Sequence, residues 1–420
     1  MNFIIGVLRR PELFIAIIAC LGLILQKRSI SEIVRGTVKT IIGMLILFEG
    51  VNIVIKGVNP LSNAFSKLFS IQGSNTLASF SDFMGNYGFE IGLVMLLGLV
   101  INIIIARFTK FKSIYLTGNL LFWFSMLFIG SGVEAGMSGL PLIIFATMFQ
   151  VIVMVASPAL ARPLVKNLTG SDEFTLGHTT TMFCLLGDFI GRFIGDPNKS
   201  SEDLKVPKCL DFFRDTTVTS GIVIMILYIV VLSIIGPGMR TDILAQSDIF
   251  TYSLVQGMTF AGGTVVLLSG VRMVLSEIVP AFRGISLKLV PGAIPALDVP
   301  IIFPYGQNAL LIGFIVSMIT SIITLFVIGS TGKLAFPVIP LTIACYFDVA
   351  PGAIFANKRG GVLAAIVTSA LGGIILIGLV SITIPMLANT AGDFLQLYGG
   401  NEFSLFTAIA SFVAKLWVQF

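Results

Sequence analysis

Two short polar stretches lie between long apolar segments and carry the side chains best suited to chemistry. The first reads LGHTTT and places His178, the only histidine of the chain, beside three hydroxyls that begin at Thr179. In the second, PGAIPALDVP, Asp298 stands between two prolines. A polyhydroxylated ligand needs convergent hydrogen bonds, and a carboxylate accepts them or removes a hydroxyl proton as a base. These residues predict a site for a sugar-like solute, with Asp298 as candidate base.

Each of these side chains also has a structural interpretation. A histidine in such a turn can bond a neighbouring carbonyl, and a carboxylate can cap free backbone N–H groups. Ionisable groups inside a membrane are costly, which favours a functional role for His178, Asp298 and Glu49. Several of the other ionisable candidates lie near predicted span ends, where snorkelling explains them. These others are Glu90, Asp188, Arg272, Glu277 and Asp348.

Two further polar clusters border apolar segments. Gly73–Thr76 (GSNT) precedes the third predicted span, and Thr117–Asn119 (TGN) opens the fourth. Asn and Thr also cap helices, so neither cluster alone indicates a ligand. Phe122 and Trp123 fit an aromatic wall for a sugar ring and equally fit ordinary interfacial aromatics.

The composition indicates that these residues are set in a membrane. Of 420 residues, 56% are hydrophobic and 11% are charged, whereas soluble domains carry about 25% charged residues. The mean hydropathy is +1.00. The net charge of +5 therefore does not indicate a nucleic-acid partner, because basic residues of membrane proteins collect in cytoplasmic loops.

Apolar runs of near-spanning length predict an all-α polytopic protein with about eleven transmembrane helices. The predicted spans are 13–26, 38–56, 88–106, 115–130, 139–160, 217–236, 249–271, 306–329, 336–350, 361–386 and 403–419. Basic residues cluster after alternate spans and in the 195–215 loop. This pattern predicts an N-terminus outside and a C-terminus in the cytoplasm.

Two stretches, 171–194 and 291–304, are too short and too interrupted by Gly or Pro to be simple spans. Both begin and end on the cytoplasmic side in this topology. Non-helical backbone at membrane depth must be buried in protein or line a wet cavity. We therefore interpret them as two re-entrant hairpins, with His178 in one and Asp298 in the other.

An internal repeat is also visible. Residues 50–60 read GVNIVIKGVNP and residues 270–280 read GVRMVLSEIVP, a displacement of 220 residues. Chance similarity between apolar segments is the alternative. Related halves are common in transporters, with the substrate site at their interface. We treat the chain as a single membrane unit, 1–420, with repeat halves at about 1–215 and 216–420.

Several kinds of chemistry are excluded. A phosphate-binding loop and an HExxH sequence do not occur. One histidine cannot make a multi-histidine metal site, and the four cysteines form no CxxC pair. No cofactor is indicated.

Several segments taken together resemble the membrane IIC component of the bacterial phosphoenolpyruvate-dependent sugar phosphotransferase system, in the ascorbate branch of the ascorbate–galactitol superfamily. They occur in the family's order along nearly the whole chain. The segments are Arg35–Gly43, Leu116–Gly118, Leu176–His178, Glu202–Pro207, Gly270–Met273, Ala281–Ser286, Pro291–Asp298 and Ala353–Asn357.

The resemblance implies an inner-membrane homodimer in which each chain has a core (transport) domain and a dimerisation domain. It implies elevator-like movement of the core with bound ascorbate or a related sugar acid or polyol. A separate cytoplasmic IIB protein would then phosphorylate the sugar from a phosphocysteine. Thr76, His178 and Asp298 match family positions that contact the sugar.

Four positions depart from the ascorbate proteins. Asn119 stands where they have His, Trp123 and Thr179 where they have Gln, and Leu77 where they have an aromatic residue. A buried polar site discriminates against ligands that leave its groups unpaired, so the mechanism carries over better than the substrate. An ion-coupled secondary transporter is the alternative, and a passive channel is a weaker one.

Overall fold

The computed structural model describes residues 11–69, 77–78, 80–205, 215–244 and 247–419. Most of them are helical. The α-helices are α1 (Pro11–Leu25), α2 (Ile30–Leu68), α3 (Phe80–Phe108), α4 (Gly118–Glu134), α5 (Gly139–Thr169), α6 (Thr181–Gly191), α7 (Thr216–Ile234), α8 (Pro237–Leu244), α9 (Ile249–Leu289), α10 (Gln307–Ser330), α11 (Thr342–Ala344), α12 (Ala350–Thr383), α13 (Gly392–Tyr398) and α14 (Glu402–Gln419). The strands are β1 (Ser113–Tyr115), β2 (Thr175–Leu176) and β3 (Ile294–Leu297).

Among the described residues, seven helices are long and apolar enough to cross a membrane. They are Ile30–Leu68, Asp82–Phe108, Gly139–Thr169, Thr217–Ile234, Ile249–Gly270, Gln307–Ser330 and Thr342–Leu387. This confirms the prediction of a helical, multi-pass membrane protein. Helices α1, α4 and α14 overlap in residue range with three further predicted spans. They are not among the seven helices. The count of eleven spans and the re-entrant hairpins stay predictions.

The helix that begins at Thr342 reverses its direction at Gly361. Gly361 has φ 69°, outside the helical region, and a Cβ on Gly372 would overlap the side chain of Val349. In one straight helix these two residues would be about 34 Å apart. The chain therefore forms a first arm (342–360) and a second arm (362–383) that lie side by side.

This turn agrees with the predicted break between spans 336–350 and 361–386. The helix starts six residues later than predicted, because residues 336–341 are not helical. Pro337 and Pro340 lie in this segment and lack the N–H that a helix interior needs.

The two copies of the sequence repeat lie in α2 and α9, which pack together antiparallel. A Cβ on Gly50 would overlap the backbone of Leu267, and a Cβ on Gly270 would overlap that of Leu47. Each glycine thus meets the residue three positions before the other glycine. The two copies therefore face each other across this antiparallel helix pair.

The helices form two layers. Helices α1, α7 and α9 pack with α2 in one layer, and α3 to α6, α10, α12 and α14 make up most of the other. Within the second layer, α6 runs parallel to the first arm, with Gly187 against Gly352 and Gly195 against Gly360. The first polar stretch is thereby fixed to the arm that ends at Gly361.

A three-stranded parallel sheet, in the order β1-β3-β2, was not predicted. Ser113 pairs with Ile294, and Thr175 pairs with Ala296. Strands of two to four residues are too short to show a period of two in sequence. The sheet satisfies backbone groups that have left the helix among apolar neighbours, and it joins both polar stretches.

Candidate binding site

The two parallel strands place His178 and Asp298 at the same edge of the sheet. β2 ends just before Gly177, whose N–H donates to Leu297 O at 2.9 Å. His178 Nε2 consequently lies 3.5 Å from Asp298 Oδ1. Two residues 120 positions apart in sequence therefore form one polar group, because the carboxyl ends of parallel strands share an edge.

Asp298 has the structural role considered from sequence, and its position leaves the functional role open. Its Oδ1 accepts a hydrogen bond of 2.8 Å from Val299 N, at the start of the 3₁₀ helix Val299–Tyr305. It thus caps free backbone, as the structural interpretation required. Its side chain also remains 43% exposed and lines a cavity.

The cavity has a volume of about 210 Å³ and lies between the α9 layer and the two polar stretches. Five of the sequence-predicted contacts line it. They are Asn119, Trp123, His178, Thr179 and Asp298. The remaining polar lining residues are Arg272, Asp348, Tyr398 and Asn401.

One wall of the cavity is aromatic. The ring of Trp123 stacks on Phe394 with centroids 4.6 Å apart and an interplanar angle of 25°. Phe122 packs edge-on against Trp123 at 4.9 Å. Of the two predicted aromatics, Trp123 thus faces the cavity and Phe122 supports it. A flat apolar wall opposite polar groups suits the two faces of a sugar ring.

Some lining atoms have no partner among the described residues. Asn119 Oδ1, Tyr398 Oη and His178 Nδ1 are buried without a hydrogen bond. Thr117, the N-cap of α4, makes no side-chain capping bond. Buried polar atoms are ordinarily hydrogen-bonded, so Asn119 and Tyr398 are free to bond a ligand.

Two predicted contacts are not among the lining residues. Leu77 packs against α13, where a Cβ on Gly392 would lie 2.9 Å from Leu77 Cδ2. Thr76 lies outside the described residues.

Asp348 is the principal site residue that sequence reasoning misplaced. It belongs to a π-helical turn, Cys345–Val349, and is 4% exposed, so snorkelling does not explain it. Its carboxylate accepts hydrogen bonds from Thr179 Oγ1 at 2.5 Å and from Asn401 Nδ2 at 2.9 Å. Asn401 was missed altogether, although the polar run Gly399–Glu402 between apolar segments was a usable signal.

Other ionisable candidates pair away from the cavity. Asp188 binds Arg192 and also Arg359, whose Nε is 2.7 Å from Asp188 Oδ1. Glu277 lies 3.3 Å from Lys39 Nζ. These carboxylates hold helices together, as partners of basic residues.

Comparison with known proteins identifies the family of this chain. The sequence model described as "PTS system sugar-specific permease component" (EIIC-GAT) matches residues 6–401. The "Ascorbate-specific PTS system EIIC component" of Mycoplasma pneumoniae is 24% identical over 436 aligned residues. That alignment covers 91% of this chain, and the chain spans 66% of the relative's length. The chain therefore belongs to the family of sugar-specific permease components of the phosphotransferase system.

Proposed function

We propose that this chain binds a small sugar-like solute in the 210 Å³ cavity and carries it across the bacterial inner membrane as a IIC component. A separate IIB protein phosphorylates the solute on the cytoplasmic side. The observation that carries the proposal is the pairing of His178 with Asp298 at 3.5 Å, at the edge of a cavity with an aromatic wall. Convergent polar groups in an otherwise apolar cavity are what a polyhydroxylated ligand requires.

One cationic side chain of the cavity supports an anionic sugar. Arg272 is the only Lys or Arg among the described lining residues, which also include the carboxylates of Asp298 and Asp348, and α9 presents it from the layer opposite His178 and Asp298. A guanidinium suits a carboxylate or enolate, which it can bind through two hydrogen bonds. Ascorbate or a related sugar acid is accordingly the preferred substrate. A polyol is the alternative, because Asn119, Trp123 and Thr179 alter the family's hydrogen-bonding groups.

In the group-transfer step, a sugar hydroxyl oxygen forms a bond to the phosphorus of the IIB phosphocysteine. The phosphorus–sulfur bond breaks and its electron pair leaves on the thiolate. The hydroxyl proton passes to a base. Asp298 is the candidate, since its carboxylate is partly exposed at the cavity and can accept the proton.

The two-layer packing supports an elevator-like movement. Nearly all polar lining groups belong to the layer of α4, α12 and α14, whereas α9 contributes Leu267, Leu268 and Arg272. Displacement of the layer of α4, α12 and α14 past α9 would move the intact site between the two membrane faces. A homodimer held through the layer of α1, α2, α7 and α9 completes the proposal, with the N-terminus outside and the C-terminus in the cytoplasm.

An ion-coupled transporter is the second candidate, because buried Asp348 and Glu402 are carboxylates that a proton could neutralise. The product separates the two. Group translocation delivers a sugar phosphate, and ion coupling delivers the unmodified sugar.

The first test is binding by the purified full chain to a panel of ascorbate, sugar acids, pentitols and hexitols. We expect saturable binding of one sugar acid, lost in His178→Ala and reduced in Asp298→Asn. Asp248→Asn is the matched control, because exposed Asp248 caps Thr251 N away from the cavity. Unchanged affinity in His178→Ala would remove that residue from the site, and no binding by any sugar would overturn the proposal.

A further inference from the structure

Asp348 is a buried carboxylate without a cationic side chain beside it in the part of the chain that the structure describes. The ionisable partner within ion-pair distance is His178, whose Nδ1 lies 3.5 Å from Asp348 Oδ1. Thr179 Oγ1 and Asn401 Nδ2 donate to the two carboxylate oxygens. A buried carboxylate is stable only when it is paired and hydrogen-bonded, so a third donor is expected at Oδ1.

His178, in turn, has a ring nitrogen that lacks a hydrogen-bond partner. Its Nδ1 is buried and has no hydrogen-bond partner among the described residues, and a separation of 3.5 Å is slightly beyond ordinary hydrogen-bond length. A proton on Nδ1, brought slightly closer to Asp348 Oδ1, would satisfy both groups at once. In histidine, the partner of one ring nitrogen decides which nitrogen carries the proton.

The backbone around Asp348 forms a π-helical turn that is held by hydrogen bonds. In the π-helical turn, Ala350 N–H donates to Cys345 O, five residues back. Thr180 Oγ1 donates to the carbonyl of Asp348 at 2.6 Å. Successive threonines after His178 thus bind the carboxylate and the carbonyl of one residue. Single π-helical turns inside α-helices are frequently found at functional sites.

We propose that Asp348 is a positioning residue that fixes the proton of His178 on Nδ1 and thereby turns Nε2 toward Asp298 and the cavity. Nε2 and Asp298 Oδ1, 3.5 Å apart, are then two neighbouring acceptors to which ligand hydroxyls can donate. The role in sugar binding rests on the proposed function. The position of the proton does not.

The single histidine makes the proton directly observable. The full chain, purified with a tag that lacks histidine and labelled with ¹⁵N-histidine, gives one imidazole in nitrogen NMR. We expect Nδ1 of the wild-type protein to carry a proton with and without sugar. An unprotonated Nδ1, with the proton on Nε2 or on Asp348, would overturn the proposal and needs no variant.

Two variants test the cause. In Asp348→Ala and Asp348→Asn we expect the proton to lose its preference for Nδ1, and sugar affinity to fall about 10- to 100-fold, by analogy with the outer partners of metal-binding histidines. Asp298→Asn is the control and should keep the proton on Nδ1. A purely structural role would lower the melting temperature of the Asp348 variants and leave the Nδ1 signal as in the wild type, which would also overturn the proposal. A failed sugar panel would affect only the affinity measurement, so the two proposals fail separately.

Discussion

Glu402 Oε1 accepts a hydrogen bond of 2.8 Å from Met182 N, which joins the first turn of α14 to the first turn of α6. The first N–H groups of a helix have no partner within it, and here a glutamate 220 positions away provides one. Glu202 does the same for α10, whose Asn308 and Ala309 N–H groups it accepts at 3.1 and 2.9 Å. The helices that follow both polar turns are thus capped from a distance.

Replacing Glu402 should destabilise the fold near His178. Glu402 is 3% exposed, so Glu402→Ala leaves the half-buried Met182 N without an acceptor, a loss of about 1–3 kcal/mol. Glu402→Gln keeps an acceptor oxygen and should lose less. Thermal unfolding in detergent measures the order. Exposed Glu202→Ala is the comparison, and an equal effect there would show that burial does not set the loss.

Arg272 should raise the affinity of the cavity for an anionic sugar relative to a neutral one. In Arg272→Gln we expect affinity for the anionic sugar to fall about tenfold, or about 1.4 kcal/mol, with affinity for a neutral polyol unchanged. Isothermal titration with both ligands measures the difference. Arg107→Gln, at the exposed end of α3, controls for loss of positive charge. Equal losses for both ligands would contradict a role for Arg272 in charge selection.

Gly361→Ala should damage the turn between the two arms. Its φ of 69° and ψ of −162° are reached almost only by glycine, at a cost of about 1–3 kcal/mol for other residues. A Cβ there would also overlap the carbonyls of Asp196 and Lys199. Gly378→Ala in the second arm meets no atom within 4 Å and should be neutral or slightly stabilising. Melting temperatures that fall equally in both variants would argue against this account.

A covalent cross-link between the two helix layers should stop transport and leave sugar binding intact. Ser220 of α7 and Thr342 of α11 both line a second cavity of about 10 Å³, which adjoins the sugar cavity, although neither residue lines the sugar cavity itself. In a background without the native cysteines, Ser220→Cys and Thr342→Cys joined by a short thiol reagent should keep sugar binding and stop uptake by vesicles. The reduced pair and each single variant are the controls. Uptake at the uncrosslinked rate would contradict movement of one layer past the other.

The sequence was sufficient for the membrane setting and for locating the two polar stretches, because each depends on residues close together in the chain. His178 and Asp298 were found because ionisable groups are rare in apolar sequence. Asp348 and Asn401 were not placed, since they approach His178 only through packing of segments about 170 to 220 residues away. Their polarity alone resembled that of residues at helix ends.

The reversal of chain direction at Gly361 could be predicted only in part. Lys358 and Arg359 between apolar runs marked a turn in sequence, but its position depended on a glycine that holds a positive φ against the 196–199 loop. The sheet could not be anticipated at all, because strands of two to four residues are too short to show an alternating pattern in the sequence.

The sheet also restricts how a bound solute can leave. Its hydrogen bonds tie segments 113–116, 175–177 and 294–297 to one another, and among apolar neighbours no water replaces such bonds once they break. Separation of His178 from Asp298 would therefore break several backbone hydrogen bonds that no other partner replaces. Under the proposed function, we therefore expect the site to stay assembled during transport and to release the solute when it faces the other side of the membrane.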